Sequence, residues 1–259
     1  MQFLCRPGRT LGDAELARLT AAVREVASTC FDELPPYQVM LGTRSAFSDK
    51  AIALAWSPSG QLVGFCSCVL IEVEGVGEVL HLGLTCVRPD HRGSGLTHKL
   101  TAKAVRGYMF RRNPFRKVWF SNCAAVLSSL GNVALHFDEV YPSPFGSPVP
   151  GDAHLRIALA IDVRHREGIY IREDAVFDAN AFVFRGSVPG TVFEKEEHDR
   201  RFHHRRPDMN RWYGARMDFG RGDEVLQVGS ISLLTAARHF LRRGRRLRSG
   251  IAPAAEPAM

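Results

Sequence analysis

The sequence predicts a mixed α/β fold: a mostly antiparallel sheet flanked by helices, followed by a long C-terminal extension. Three observations carry this. Apolar residues recur at helical spacing over residues 11–33. Three apolar runs separated by short turns follow over residues 51–87, the pattern of an antiparallel meander. A glycine-bearing turn then opens a second helical pattern, with one more strand and one more helix behind it.

In the first helix Leu11, Leu16, Leu19, Ala22, Val23 and Val26 share a face, and Pro35-Pro36 bars continuation. Residues 51–56 and 62–71 are joined by Ser57-Pro58-Ser59-Gly60, turn chemistry that predicts a hairpin. A turn over 72–77 leads to a third strand, 79–87, which Pro89 ends. The turn at 92–95 starts a helix over 96–112 with Leu100, Ala104, Val105 and Met109 on one side, and Asn113-Pro114 stops it. Strand 117–122 and helix 126–140, weakened by Gly131, follow. Residues 141–151 hold four prolines and two glycines, so a loop is expected to divide a core, 1–150, from an extension, 151–259. In the extension, 154–163 fits a strand or a short helix, 177–184 and 225–232 read as strands, and 194–208 reads as a solvated charged loop. Residues 233–246 read as a basic amphipathic helix and 251–259 as a disordered tail.

Composition narrows the function. With 45% apolar and 24% charged residues, the 259-residue chain can bury a sizeable core and is not a disordered or coiled-coil sequence. No apolar run approaches the roughly 20 residues that span a bilayer, and the apolar start is too short for a secretory signal. A cytoplasmic protein is therefore expected. Six cysteines without CxxC spacing read as free thiols, and His198, His203 and His204 match no zinc arrangement, so no metal is expected. The net charge of +7 is concentrated: residues 226–255 hold six arginines and no acid. The remainder is nearly neutral, which disfavours a nucleic-acid-binding surface.

The chemistry lies in residues 82–100, where a strand runs through Val87-Arg88-Pro89-Asp90-His91-Arg92-Gly93-Ser94-Gly95-Leu96-Thr97 straight into a helix. The first amides of a helix lack internal partners and lie at the positive end of its dipole. Gly93 and Gly95 remove the Cβ atoms that would keep a ligand away, so several amides can converge on phosphate oxygens. There is no GxxxxGK[ST] loop, and the GxGxxG pattern fails at His98.

The pattern Val-x-Pro-x-x-Arg-Gly-x-Gly-Leu on residues 87–96, in this order of elements, resembles the GNAT (GCN5-related N-acetyltransferase) superfamily over roughly residues 10–145. The resemblance implies a sheet splayed at an acyl-CoA cleft, with acetyl-CoA or another acyl-CoA as cosubstrate. It places the pantetheine arm on the backbone of Thr85, Cys86 and Val87, and the diphosphate on the amides of Arg92, Gly93, Ser94, Gly95, Leu96 and Thr97. Thr97 departs from the family, which carries Gly or Ala there. The family often places a carboxylate base six residues before the valine; here that place is taken by His81, whose unperturbed pKa of about 6.5 suits proton acceptance at neutral pH. The family's acid, a tyrosine, falls in register on Phe137, leaving Tyr141 and His136 as candidates. Direct acetyl transfer to an amine of a small molecule or protein is implied, with the extension completing the sheet and building the acceptor side. Trp212 and Tyr213 are candidate walls for that acceptor. Two other functions stay open: a non-catalytic acyl-CoA-binding module that lost its acid at Phe137, and a basic tail that tethers the fold to nucleic acid or an acidic partner.

Overall fold

A ten-stranded sheet organises the described residues, 1–112 and 114–233, of this computed structural model. The strands run in the order β1 (Gln2–Cys5), β2 (Lys50–Trp56), β3 (Leu62–Val73), β4 (Gly77–Leu82), β6 (Val118–Ala124), β10 (Glu224–Ile231), β9 (Val183–Arg185) and β8 (Val176–Asp178). Off this path, β5 (Thr85–Val87) pairs with β3, and β7 (Asp138–Tyr141) pairs with β10. Every pairing is antiparallel except β4 with β6, which the helical crossover between them makes parallel. β10 lies beside β6, so the extension contributes a central strand.

Alternation along β2 sets the two layers. Ala51, Ala53 and Ala55 face helix α3 (Leu96–Arg112), where small side chains let its Leu100, Ala104, Val105 and Tyr108 approach the sheet. Ile52 and Leu54 face the opposite way and bury against Leu16, Leu19, Val23 and Val26 of α2 (Asp13–Ala27), which follows the one-turn α1 (Pro7–Thr10). Each such aliphatic side chain contributes roughly 1.5–3 kcal/mol by leaving water. α4 (Leu127–His136) and α6 (Pro207–Gly214) cover the far end of the α3 side, and α5 (Asp152–Ala160) packs with β7 and β10 on the other.

Several expectations change. α2 ends at Ala27, short of residue 33. α4 stops at His136, and residues 138–141 form a strand in place of the expected helix. The ambiguous stretch near 154–163 is helical, and 177–184 divides between two short strands that pair as a hairpin. α6 lies at the end of the expected loop. Its Tyr213 is fully buried, donating to the Pro142 carbonyl and accepting from Gln227, while Trp212 lies under Arg216. Both aromatics serve packing against α4. The expected basic helix beyond residue 233 and the tail 251–259 lie outside the described residues. Among the described residues no helix is long and apolar enough to cross a membrane.

Candidate functional site

The strand expected over 79–87 is broken into β4 and β5, and the candidate site lies at the break. β4 pairs with β6 through Leu80↔Phe120, His81↔Ser121 and Leu82↔Asn122, and the parallel ladder ends there. On the other edge, β3 pairs His81 with Val69 and Thr85 with Cys66. Three residues, Leu82, Gly83 and Leu84, therefore oppose two, Ser67 and Cys68, which is a β-bulge. Past it β5 follows β3, while Cys123 and Ala124 of β6 follow β10, and a gap opens between them. Leu84 and Arg88 aim backbone groups at β3, so by alternation Thr85 and Val87 aim theirs into the gap. The bulge needs glycine at position 83: a Cβ there would lie 2.3 Å from Gln38 Nε2 and 2.6 Å from the Ser67 carbonyl.

At the end of β5 the chain makes a short turn and enters α3. Gly93 and Gly95 take φ of +75° and +69°, a region that glycine adopts without strain. The amides of residues 93–97 donate to no group among the described residues, and residues 92–95 and 97 are exposed. Arg92 is turned away from these amides: its Nε donates to the Val87 carbonyl at 3.1 Å and its Nη2 to the Cys30 thiol at 3.4 Å. Arg88 is tied to Glu25 and to the Leu62 carbonyl. An anion at this turn would rest on main-chain amides, with the arginines bracing the loop.

The candidate acid–base residues fare differently. His81 is 2% exposed, and its Nδ1 lies 2.9 Å from Ser121 Oγ. Burial, helped by the nearby Lys50 ammonium, pushes its pKa down to about 3, so the ring is neutral at neutral pH. Tyr141 does not prolong α4. It lies on β7, packs edge-on against Phe182, and reaches the Asn180 carbonyl at 3.4 Å. His136 closes the last turn of α4, and the next residue, Phe137, stacks on Phe120 with ring centres 4.5 Å apart. Glu78, at the head of β4, is held by Arg6, Arg112 and the Tyr108 hydroxyl in a structural ion-pair cluster.

Two residues that sequence reasoning passed over lie on the α2 side of the gap. Glu224 is 8% exposed and accepts from Ser187 Oγ at 2.6 Å and from Cys123 Sγ at 3.8 Å. Burial pushes its pKa up to about 7, against the lowering effect of Ser187, Cys123 and Lys195. Gln38 is 3% exposed and donates through Nε2 to the Tyr37 hydroxyl. Its Oε1 is buried without a partner, as is Ser67 Oγ on the strand opposite the bulge. The only sequence signal for Glu224 was an acid at the head of an apolar strand; Gln38 gave none. Above this face an aromatic cluster of Phe31, Tyr37, Tyr170 and Phe193 ties the extension to the end of α2. A separate cavity of about 680 Å³ is lined by residues that include Glu194, Lys195, Glu197, Asp218 and Phe219, and the Lys195 charge acts on Glu224.

Residues 20–135 match the family described as the Acetyltransferase (GNAT) family. Among solved structures, the chain is similar to a GNAT family acetyltransferase from Brucella melitensis in complex with acetyl-CoA, at 18% identity and a TM-score of 0.32, over 40% of this chain and 69% of that one. It is similar to an acyl-CoA N-acyltransferase from Pseudomonas aeruginosa at 21% identity and a TM-score of 0.38, over 54% and 90%. Tetrahymena GCN5 is similar at 10% identity and a TM-score of 0.39, over 56% and 84%. No curated protein matches the chain.

Proposed function

We propose that this chain, whose residues 20–135 match the GNAT acetyltransferase family, is an acyl-CoA-dependent N-acyltransferase that moves an acetyl group directly to an amine. The observation that carries the reading is the alignment of the two open features. The bulge at Gly83 parts β5 from β6, and five amides without a partner among the described residues, those of 93–97, stand where the turn after β5 enters α3. Acetyl-CoA is assigned to this arrangement, with its diphosphate on residues 93–97 and its pantetheine arm in the gap, along the backbone of Thr85 and the amide of Val87, whose carbonyl is already taken by Arg92. The glycines keep those amides clear, and Thr97 supplies an amide as a glycine would.

The thioester carbonyl then lies by the bulge, and the amine approaches from the α2 side. The amine must be neutral to attack, because an ammonium has no lone pair. The tetrahedral oxyanion needs a main-chain donor, and the departing thiolate takes up a proton. His81 is assigned a positioning role: neutral and bonded to Ser121, it fixes the last paired rung before the strands part. No cysteine is needed as a nucleophile. Cys86 is buried with its thiol pKa raised by hydrogen bonding from Cys30 and by burial, and Cys123 is bonded to Glu224 with its pKa raised by burial.

The test is calorimetric binding of acetyl-CoA followed by thiol release in the presence of a panel of amines. Binding with amine-dependent release is expected; binding without release for any amine would instead support a non-catalytic module. His81→Ala is expected to lower stability by about 1–3 kcal/mol through the cavity and the orphaned Ser121 hydroxyl. Its kcat/KM against pH should keep the wild-type midpoints. Loss of the acidic limb in that variant would return the base to His81.

A further inference from the structure

We infer that Glu224 is the group that takes the proton from the incoming amine, and that Gln38 Oε1 holds that amine beside the bulge. The inference rests on the acyltransferase reading and supplies its acceptor half. Gln38 commits its Nε2 to Tyr37, which leaves an oxygen that can only accept. That oxygen is buried without a partner, and an orphaned buried acceptor costs about 1–3 kcal/mol. The residue also holds φ at +48°, a strained value for a non-glycine. Its amide stands against Gly83, so the cost is incurred at the point where β4 and β6 separate. Ser67 Oγ, opposite the same bulge, is a second buried polar atom without a partner. An N–H donor arriving there satisfies Gln38 Oε1; an apolar ligand does not.

Glu224 is a carboxylate without a cation in contact among the described residues. The contrast with its neighbour is sharp: Asp223 takes the guanidinium groups of both Arg185 and Arg221. The groups that face Glu224 are Cys123 from β6, Ser187 after β9, Lys195 in the following loop, and Tyr37 after α2, whose ionisation Glu224 opposes. Cys123 lies one residue past the last β4–β6 pair, so the carboxylate it touches borders the gap. A buried carboxylate of this kind is eased by protonation or by a cationic ligand, and an ammonium offers both.

The step balances as follows. R–NH3+ gives one proton to the Glu224 carboxylate and becomes R–NH2. Its nitrogen lone pair forms the C–N bond to the thioester carbonyl, and the C–S bond breaks as the tetrahedral state collapses. The thiolate is protonated to CoA–SH by one of the two protons released, and the other leaves to solvent. The amide keeps the last hydrogen. Burial raises the Glu224 pKa towards neutrality, which suits a group that takes a proton and releases it within each turnover.

Glu224→Gln preserves shape and removes the base. With an amine that the wild type acetylates, turnover is expected to fall about 100-fold or more, the acidic limb of kcat/KM near pH 7 to vanish, and the acetyl-CoA dissociation constant to stay within about twofold. Gln38→Ala is expected to raise the amine KM about tenfold with acetyl-CoA binding unchanged. Glu224→Gln that turns over within about threefold of wild type with its acidic limb intact overturns the inference. If the variant does not fold, or no amine in the panel reacts, carboxyl 13C NMR of the wild-type chain decides. A glutamate signal titrating near pH 7 supports the assignment, and Glu224 titrating below pH 5 overturns it. Failure of acetyl-CoA to bind the wild type would count against the acyltransferase reading instead, and is seen separately in the calorimeter.

Discussion

Gly95→Val is expected to raise the acetyl-CoA dissociation constant by about 100-fold or more while shifting Tm by only a few degrees. A Cβ at position 95 would meet nothing within 4 Å, so the substitution creates no clash inside the protein. The cost is conformational: φ of +69° is strained for a β-branched residue by about 1–2 kcal/mol. The chain can relieve that strain by rotating the turn, which swings the amides of residues 93–97 out of convergence. Each charge-assisted hydrogen bond is worth about 1.5–3 kcal/mol, so losing two removes at least two powers of ten in affinity. Calorimetry beside a thermal melt separates the two effects. Affinity within about threefold of wild type would show that the diphosphate does not rest on this turn.

The second large effect is structural. Asp223→Ala should lower the unfolding free energy by about 3–5 kcal/mol, measured by urea denaturation. Asp223 is 0% exposed and accepts from Arg185 Nη1 at 2.9 Å, from Arg221 Nε and Nη2 at 2.8 Å, and from the amides of Gly186 and Asp218 at 3.0 Å. Burial alone would raise its pKa, but the Arg221 bond, with those from Asp218, Arg185 and Gly186, outweighs it and holds the carboxyl well below the usual range. A depressed folded-state pKa means that this stabilisation is complete above the unfolded value of about 3.9 and is lost as pH falls towards the folded one. The wild type should therefore lose stability below about pH 4 more steeply than Asp223→Ala. Because β10 begins at the next residue, the same substitution loosens the strand that carries Glu224.

Local signals pointed to the turn proposed for the donor and missed most of the groups proposed for the acceptor. The glycine turn was legible because its function is a property of contiguous backbone: a strand, two glycines and a helix start lie within eleven residues. The meander of β2, β3 and β4, the helix α3 and the strand β10 were legible for the same reason, through alternation and helical spacing. The bulge was not, because nothing in residues 82–84 by itself tells which residues of β3 will oppose them. The helix expected over 126–140 failed at Phe137 because pairing of residues 138–141 with β10 outcompeted local propensity.

The acid–base assignments show the same division. His81 is a residue type that can take a proton near neutral pH, yet whether it does so depends on desolvation by strands far away in sequence and on the Lys50 charge. Glu224 lies 137 residues beyond Val87 and reaches the gap only because β10 settles against β6. Gln38 acquires meaning from its contact with Gly83, 45 positions further along. The extension as a whole was readable as extra sheet, while its aromatic attachment through Tyr170 and Phe193 was not.

By itself the sequence determined the order of the elements, their two-layer pattern and the glycine turn that opens α3, since these follow from short-range periodicity and from a glycine pair before a helix start. Tertiary structure alone decided which buried groups are charged, where the strands part and which side chains face the opening. Those properties depend on desolvation and on pairing between distant segments, and neither is written in any stretch of neighbouring residues.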